Sequence, residues 1–427
     1  MNKNYFIFDK NKCVGCEACV IACINENGFQ EPESWRNIYS SNPEKLPGLP
    51  LFYLSMSCNH CEDAVCMENC PALAYSRSPI TGAVLHTTNH CIGCKYCTWN
   101  CPYDAPKFNP ISGIINKCNF CESRLIDNQE PACVSLCPTG ALDFSFEEID
   151  KSSIKSSINV PVSTQPSIVI KERIKKNGPE IDHSLFESIE ITEPAVVKKI
   201  SALKEWTLVL FTFIVSVMVG ITAVNTLNQQ SLNIKFVFLA VGAIAAGLSM
   251  FHLGKPFRAW RALLNIRKSW LSREILFFSL FYASTFIDLI VLDLPNWLLI
   301  VFGFMLLFSV DKLYQPVQVY WKTKFHSAQV IFISLSYFLL FNNLYWIFAS
   351  LMGFRLYLFL IGIKQFEIPL KVKMIRILSL ILTALFIVIG SPIWYTILIF
   401  TIGEIIDRIV FYYDLDVPDI KRHLAQK

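Results

Sequence analysis

The sequence predicts two unlike parts: an α+β domain of short strands and turns crowded with cysteine, then an all-α polytopic membrane domain of about eight transmembrane helices. Three observations lead there. All sixteen cysteines of the 427-residue chain lie between Cys13 and Cys137, the chain beyond residue 205 is a series of apolar blocks rich in Phe, Leu and Ile, and the mean hydropathy is +0.41 with 53% hydrophobic residues. The expected divisions are residues 1–149, a linker over 150–204, the membrane domain over 205–415 and a tail over 416–427. A formal net charge of +4 gives no support for a nucleic-acid partner, so the basic residues must be read by location. Residues 1–12, MNKNYFIFDKNK, lack a long apolar segment, a small-residue cleavage site and a twin-arginine pair, which predicts a chain without its own export address.

The cysteines fall into four groups of four. CVGCEACVIAC holds Cys13, Cys16, Cys19 and Cys23, and CNHCEDAVCMENCP holds Cys58, Cys61, Cys66 and Cys70. CIGCKYCTWNCP repeats the first spacing with Cys91, Cys94, Cys97 and Cys101, and a stretched fourth group holds Cys118, Cys121, Cys133 and Cys137. Tight local runs point to metal sites, not to the disulfide framework of a small secreted domain. Three thiolates two residues apart on one loop can cap three iron corners of a cube, while the fourth, usually before proline, points toward a second cube. Zinc needs only paired C-x2-C knuckles, which would leave the third cysteine without a purpose. The first group alone lacks the following proline, having Ile24. GAVLHTT at 82–88 and GALDFSF at 140–146 read as short strands of a ferredoxin-like domain in which clusters take the place of a large apolar core.

Over roughly residues 1–149 the chain resembles the four-cluster electron-transfer subunit of the dimethyl sulfoxide reductase family. The likeness is carried by CNHCEDAVCMENCP, CIGCKYCTWNCPYDAPKFNP, KCNFC and PACVSLCPTGAL. It implies four 4Fe-4S clusters with crosswise ligation. Cys13, Cys16, Cys19 and Cys137 would hold one, and Cys118, Cys121, Cys133 and Cys23 a second. Cys58, Cys61, Cys66 and Cys101 would hold a third, and Cys91, Cys94, Cys97 and Cys70 the fourth. His60, His86 and His90 are expected around the ligands or at the surface, since the cysteines already suffice. From Asp150 the chain turns polar without sustained periodicity, a connector that is either a plain linker or drapes over a neighbouring domain.

Apolar blocks follow near residues 206–227, 234–253, 275–292, 297–310, 328–341, 344–363, 376–390 and 393–413. The fourth and fifth are short for a bilayer that needs about twenty residues, so they must borrow flanking residues. Counting Arg376 with its loop, the connections after the second, fourth and sixth blocks carry six, three and four basic residues, against one, Lys235, in all the others. The positive-inside rule puts the rich loops, and with them the clusters, on the cytoplasmic side of a bacterial inner membrane. A partner exported through the twin-arginine route would instead favour the periplasmic side.

The most basic loop, FHLGKPFRAWRALLNIRKSWLSREIL, closely resembles the signature of the membrane anchor of the same family, and EWTLVLFTFIVSVMVG from Glu205 resembles its opening helix. The two subunits are thus expected fused in one polypeptide. The resemblance implies a quinol site at His252 and Glu274, with Arg258 and Trp260 in its vicinity. Oxidising menaquinol or ubiquinol requires acceptors for two protons, and histidine and carboxylate are suitable groups. On the residues alone, a helix-end histidine bonding a carbonyl and a Glu274 paired with Arg273 or Arg258 remain open. Lys255, Arg258, Arg261, Arg267, Lys268 and Arg273 either anchor lipid headgroups or dock the cluster domain. No heme is expected, because His252 and His326 are the only histidines of this half before His423. In the last block Glu404 and Arg408, four apart, could pair on one face, and Arg355 and Asp407 pose the same choice between pairing and function.

The expectation is an electron-transfer and membrane-anchor component of a molybdopterin oxidoreductase, taking electrons from the quinone pool to a separate catalytic subunit, as in anaerobic respiration. Two other classes compete: a redox-driven ion translocator, which needs a continuous polar path, and a ferredoxin relay merely tethered to the membrane.

Overall fold

The structure, a computed structural model, describes residues 4–29, 33–45, 51–146, 164–171, 200–224, 227–315, 326–363 and 369–415. Most of the expected linker, the basic residues Lys322, Lys324 and Lys364, and the tail with His423 lie outside the described residues. The chain divides into two compact units at Val197–Lys198.

In the first unit the order is β1 (Tyr5–Asp9), α1 (Ala18–Asn27), β2 (Asn37–Ser40), β3 (Tyr53–Met56), α2 (Val65–Glu68), β4 (Tyr75–Arg77) and β5 (Val84–His86). Then come α3 (Tyr96–Asn100), β6 (Lys107–Asn109), β7 (Ile114–Asn116), α4 (Glu122–Ile126), α5 (Ala132–Ser135), β8 (Leu142–Ser145) and β9 (Ile168–Lys171). Three antiparallel hairpins, β2–β3, β4–β5 and β6–β7, accompany a three-stranded sheet in the order β8–β1–β9. In that sheet β1 runs antiparallel to β8, Phe6 facing Phe144, and parallel to β9, Phe6 facing Ile168. This pairing brings the first cysteine group, which follows β1, beside the fourth, which precedes β8.

Residues 164–171, read from sequence as linker, instead close this unit. Ser167 donates its N–H to the Asn59 carbonyl at 2.8 Å, and Glu62 donates its N–H to the Gln165 carbonyl at 2.9 Å. The unit also has a larger apolar core than the cysteine runs imply: Phe6, Phe8, Leu54, Met56, Phe120 and Phe144 pack with several of the cysteine side chains.

The second unit holds α6 (Trp206–Ala223), α7 (Leu232–Phe251), α8 (Trp270–Phe286), α9 (Asn296–Tyr314), α10 (Val330–Phe341), α11 (Tyr345–Ile363), α12 (Leu370–Ile389) and α13 (Ile393–Asp414). A 3-10 segment, Pro256–Leu263, lies between α7 and α8, and a π-helical turn, Ile287–Val291, ends α8. Among the described residues, five helices are long and apolar enough to cross a membrane: α6, α7, α8 with its π turn, α9 and α12. The fourth block gains its length from Lys312 and Tyr314 at its end. α12 starts six residues before the apolar block because Lys371 and Lys373 sit in its first turns, where hydropathy reads a loop.

Arg355, Arg376, Glu404, Asp407 and Arg408 are buried while Trp297, Trp346, Leu378, Val388, Trp394 and Leu398 are exposed. That inversion of the soluble-protein pattern is what hydrocarbon solvent imposes, and the protein is an integral membrane protein. Close crossings rest on small residues. A Cβ added at Gly220 would stand 2.5 Å from the Ser334 carbonyl oxygen of α10. Because that obstacle is backbone, Gly220→Ala should force α6 and α10 apart and cost about 1–3 kcal/mol, read as a lower Tm in detergent.

Candidate functional site

The cysteine loops of the first unit come in two conformational types. In CVGCEAC and CIGCKYC, Gly15 and Gly93 have φ of 72° and 70°, and Glu17 and Lys95 have φ of 61° and 59° just before α1 and α3. In CNHC and CNFC the third residue, His60 or Phe120, has φ of 43° or 69°. Left-handed backbone at a residue with a side chain costs about 1–2 kcal/mol. These loops adopt it because a thiol-bearing turn must curl tightly to aim its side chains at one centre. At Gly15 the need for glycine is doubled, since an added Cβ would lie 2.6 Å from the Tyr53 ring. The His60 and Phe120 rings stack at 4.1 Å, so the two CNxC loops meet back to back.

None of the sixteen cysteines forms a disulfide. Cys23, Cys118, Cys121 and Cys133 line one cavity of about 290 Å³ of empty space. Cys58, Cys61, Cys66 and Cys101 line a second, of about 360 Å³, and Cys70, Cys91, Cys94 and Cys97 a third, of about 300 Å³. Cys13 lies within electrostatic range of Cys16, Cys19 and Cys137. Among the described residues no three Cys, His, Asp or Glu side chains converge on a single ion. The thiols ring cavities instead, a donor set that fits a cube bound at four corners. Burial raises the Cys121 thiol to about 11 and pushes Cys66 well above the ordinary thiol value, so iron must displace protons to bind.

His60 is buried; its Nδ1 accepts the Val84 N–H at 3.0 Å, and burial with the nearby Lys117 holds the imidazole well below its ordinary value. His86, which lines the third cavity, is held at about 4 by burial. Both are therefore neutral at pH 7.

In the second unit, His252 caps α7 and Glu274 is 3% exposed in the first turns of α8. Arg258 lies half-buried in the 3-10 segment, and Trp260 is exposed under the Arg261 guanidinium at 5.2 Å. Glu274 does not pair with its neighbour Arg273, which donates to the Ile266 and Arg267 carbonyls and stacks on Trp270 at 4.2 Å. The charge it faces is Arg408 of α13. Arg408 donates to Thr212 Oγ1 and to the Ala328 carbonyl, both at 3.0 Å, and lies over Phe411 at 4.3 Å, beside the hydrogen-bonded Tyr314 and Tyr412. Among the described residues, Glu274 Oε2, Arg408 Nη2, Ser269 Oγ and Ser272 Oγ are buried without a hydrogen-bond partner.

The expected Glu404–Arg408 pair does not form. Glu404 instead bonds Arg355 Nη2 at 2.6 Å and Arg376 Nη2 at 3.0 Å, and Asp407 bonds the same two nitrogens at 3.3 and 2.9 Å. On a helix already crowded by α6, α11 and α12, each acid meets a guanidinium from across the bundle before one of its own turn. Arg376, counted from sequence with a cytoplasmic loop, is thus an intramembrane cation. Gly403 makes room for it, a Cβ there falling 2.2 Å from Ser379 Oγ and 3.0 Å from Arg376 Nη1. Ser327 Oγ completes the group by donating to Asp407 Oδ1 at 2.8 Å. Sequence reasoning missed Arg376, Arg36 and Lys117, and the one hint of depth was that Arg376 opens an apolar block.

Thiol-ringed cavities in one unit and a bundle with charge inside and apolar side chains outside define a membrane-anchored iron-sulfur electron-transfer protein. Known proteins make the class specific: residues 49–147 match the 4Fe-4S dicluster domain, and residues 200–391 match the DMSO reductase anchor subunit (DmsC). The B subunit of polysulfide reductase from Wolinella succinogenes is 39% identical over 178 residues, 41% of this polypeptide and 91% of that protein. The B subunit of anaerobic dimethyl sulfoxide reductase from Escherichia coli is 36% identical over 179 residues, covering 39% and 87%. Thiosulfate reductase electron transfer subunit PhsB of Salmonella typhi is 40% identical over 157 residues, covering 36% and 80%. The protein belongs to the family of dimethyl sulfoxide and polysulfide reductase iron-sulfur subunits, with the family's anchor domain joined to it in the same polypeptide. It serves electron transfer and membrane anchoring in an oxidoreductase complex of the dimethyl sulfoxide reductase type. The anchor match ends before α13, the helix that supplies Glu404, Asp407 and Arg408.

Proposed function

We propose that this protein oxidises menaquinol or ubiquinol at the end of its bundle marked by His252 and Glu274, and passes the electrons through four 4Fe-4S clusters to a separate molybdopterin-containing catalytic subunit. The observation that carries the quinol site is a buried carboxylate oxygen, Glu274 Oε2, without a partner and facing a guanidinium that also has a bare N–H, Arg408 Nη2. Buried polar atoms left unsatisfied are rare and call for a ligand that satisfies them. A quinol hydroxyl does so: it donates to the carboxylate and accepts from the arginine. Glu274 then holds one proton, and His252, at the mouth of the loop, is suited to the other. Arg258 and Trp260 border the ligand from the loop side.

The four clusters, when bound, supply one-electron carriers between the quinol and the catalytic subunit. The three cavities and the Cys13 set support the crosswise ligation: Cys13, Cys16, Cys19 with Cys137; Cys118, Cys121, Cys133 with Cys23; Cys58, Cys61, Cys66 with Cys101; Cys91, Cys94, Cys97 with Cys70. All eight helices are taken as crossings. Trp297, Trp346 and Trp394 open α9, α11 and α13, which alternation brings to one interface as an aromatic belt. With Arg376 removed from the count, the basic loops still favour the cytoplasmic side for the clusters.

Glu274→Gln and His252→Ala are expected to slow cluster reduction by quinol at least tenfold while dithionite still reduces every cluster. Normal turnover with quinol in both variants would overturn the site.

A further inference from the structure

Two buried cations of the cluster unit have no carboxylate to answer them among the described residues. Arg36 is 1% exposed; its Nη1 donates to Ser55 Oγ at 3.0 Å, its Nη2 to Ser57 Oγ at 2.8 Å, and its guanidinium lies 4.7 Å over the Phe6 ring. It lines the cavity of Cys23, Cys118, Cys121 and Cys133. Ser55 Oγ in turn stands 3.4 Å from Cys19 Sγ, a thiol of the neighbouring set. Lys117, 3% exposed, donates to the Val84 carbonyl, to the Cys118 carbonyl at 2.8 Å and toward Cys58 Sγ at 3.6 Å. All three ammonium donors are used, and the side chain lines the cavity of Cys58, Cys61, Cys66 and Cys101. Each cation therefore sits on one cluster cavity and is bonded toward a cysteine or its supporting hydroxyl.

A buried cation without a counter-charge is strongly unfavourable. The groups that surround these two are thiol sulfurs, and a 4Fe-4S cube held by four thiolates is an anion that gains a further negative charge when it takes an electron. Among the described residues, the one cation lining the cavity of Cys70, Cys91, Cys94 and Cys97 is the half-exposed Lys95, where solvent screens the charge.

We propose that Arg36 and Lys117 are potential-setting residues: each stabilises the reduced form of the cluster whose cavity it lines and supplies the charge that lets this interior hold it. The inference rests on the four-cluster reading. The step is the arrival of one electron from the preceding cluster, with quinol as the ultimate reductant; no bond forms or breaks and no proton moves, because the cation is fixed. Charge on a fixed, desolvated side chain acts on the reduced form more than on the oxidised one. The two clusters so placed become the stations of the relay on which an electron rests most readily.

The test is a redox titration of the full-length protein in its complex, followed by electron paramagnetic resonance, for Arg36→Gln and Lys117→Gln. In each variant one cluster should lose about tenfold in its reduced-to-oxidised ratio at fixed potential, a shift of about 59 mV to more negative values. Arg36→Lys and Lys117→Arg should restore the original midpoint. If a glutamine variant loses iron, the charge-keeping variant must recover both iron and midpoint. Unchanged midpoints in fully loaded glutamine variants, or charge-keeping variants that recover neither, overturn the proposal. Fewer than four clusters in the unsubstituted protein would instead reject the cluster reading itself.

Discussion

Cys23→Ser removes the cluster of Cys118, Cys121 and Cys133 and spares that of Cys13, Cys16 and Cys19. This is the expected result of crosswise ligation, because Cys23 lies on α1 beyond its own run and lines the other cavity. About a quarter of the iron should disappear, and quinol-driven turnover of the complex should collapse, since a series of carriers with one gap does not conduct. The measurement compares paramagnetic spectra of three variants. Cys23→Ser should look like Cys121→Ser and unlike Cys16→Ser; a match to Cys16→Ser would restore local ligation.

The second large effect is in the membrane bundle. Arg376→Met leaves Glu404 and Asp407 to share the single guanidinium of Arg355, all of them buried. Removing one member of such a group costs about 3–5 kcal/mol because the remaining charge is left uncompensated. Pairing the change with Glu404→Gln restores balance between Arg355 and Asp407, so the double variant should be more stable than the single one. Unfolding in detergent, followed by helix loss, measures this. A double variant as unstable as the sum of both singles would mean the four charges act independently.

Local chemistry made the cysteine loops legible. A C-x2-C-x2-C run constrains its own turn, and Gly15 and Gly93 stand where that turn needs positive φ. Apolar runs likewise announced the helices, to within a few residues at most ends. What sequence could not reach was approach in space. Arg376 looked like a loop residue because Lys371 and Lys373 precede it; only the crossing of α12 with α13 at Gly403 shows why the protein buries it. Glu404 and Arg408 share a helical face and still choose other partners, since Arg355, Arg376 and Thr212 come from other helices of the bundle. Arg36 falls between cysteine groups with no motif around it, and its buried setting exists only once Ser55 and Ser57 close over it. The strand Ile168–Lys171 escaped notice because a four-residue run offers too little pattern to separate it from a linker.

The place of β1 between β8 and β9 governs when this protein becomes whole. A ribosome extends the polypeptide at roughly 5–20 residues per second, so β1 waits on the order of ten seconds before both strands that flank it have been made. On the proposed crosswise ligation, Cys13, Cys16 and Cys19 would wait nearly as long for Cys137, as thiols of an unfinished polypeptide. Maturation is therefore timed by the last strand made, and any oxidant or stray metal that reaches the nascent protein competes for the first thiols before their proper iron can be enclosed.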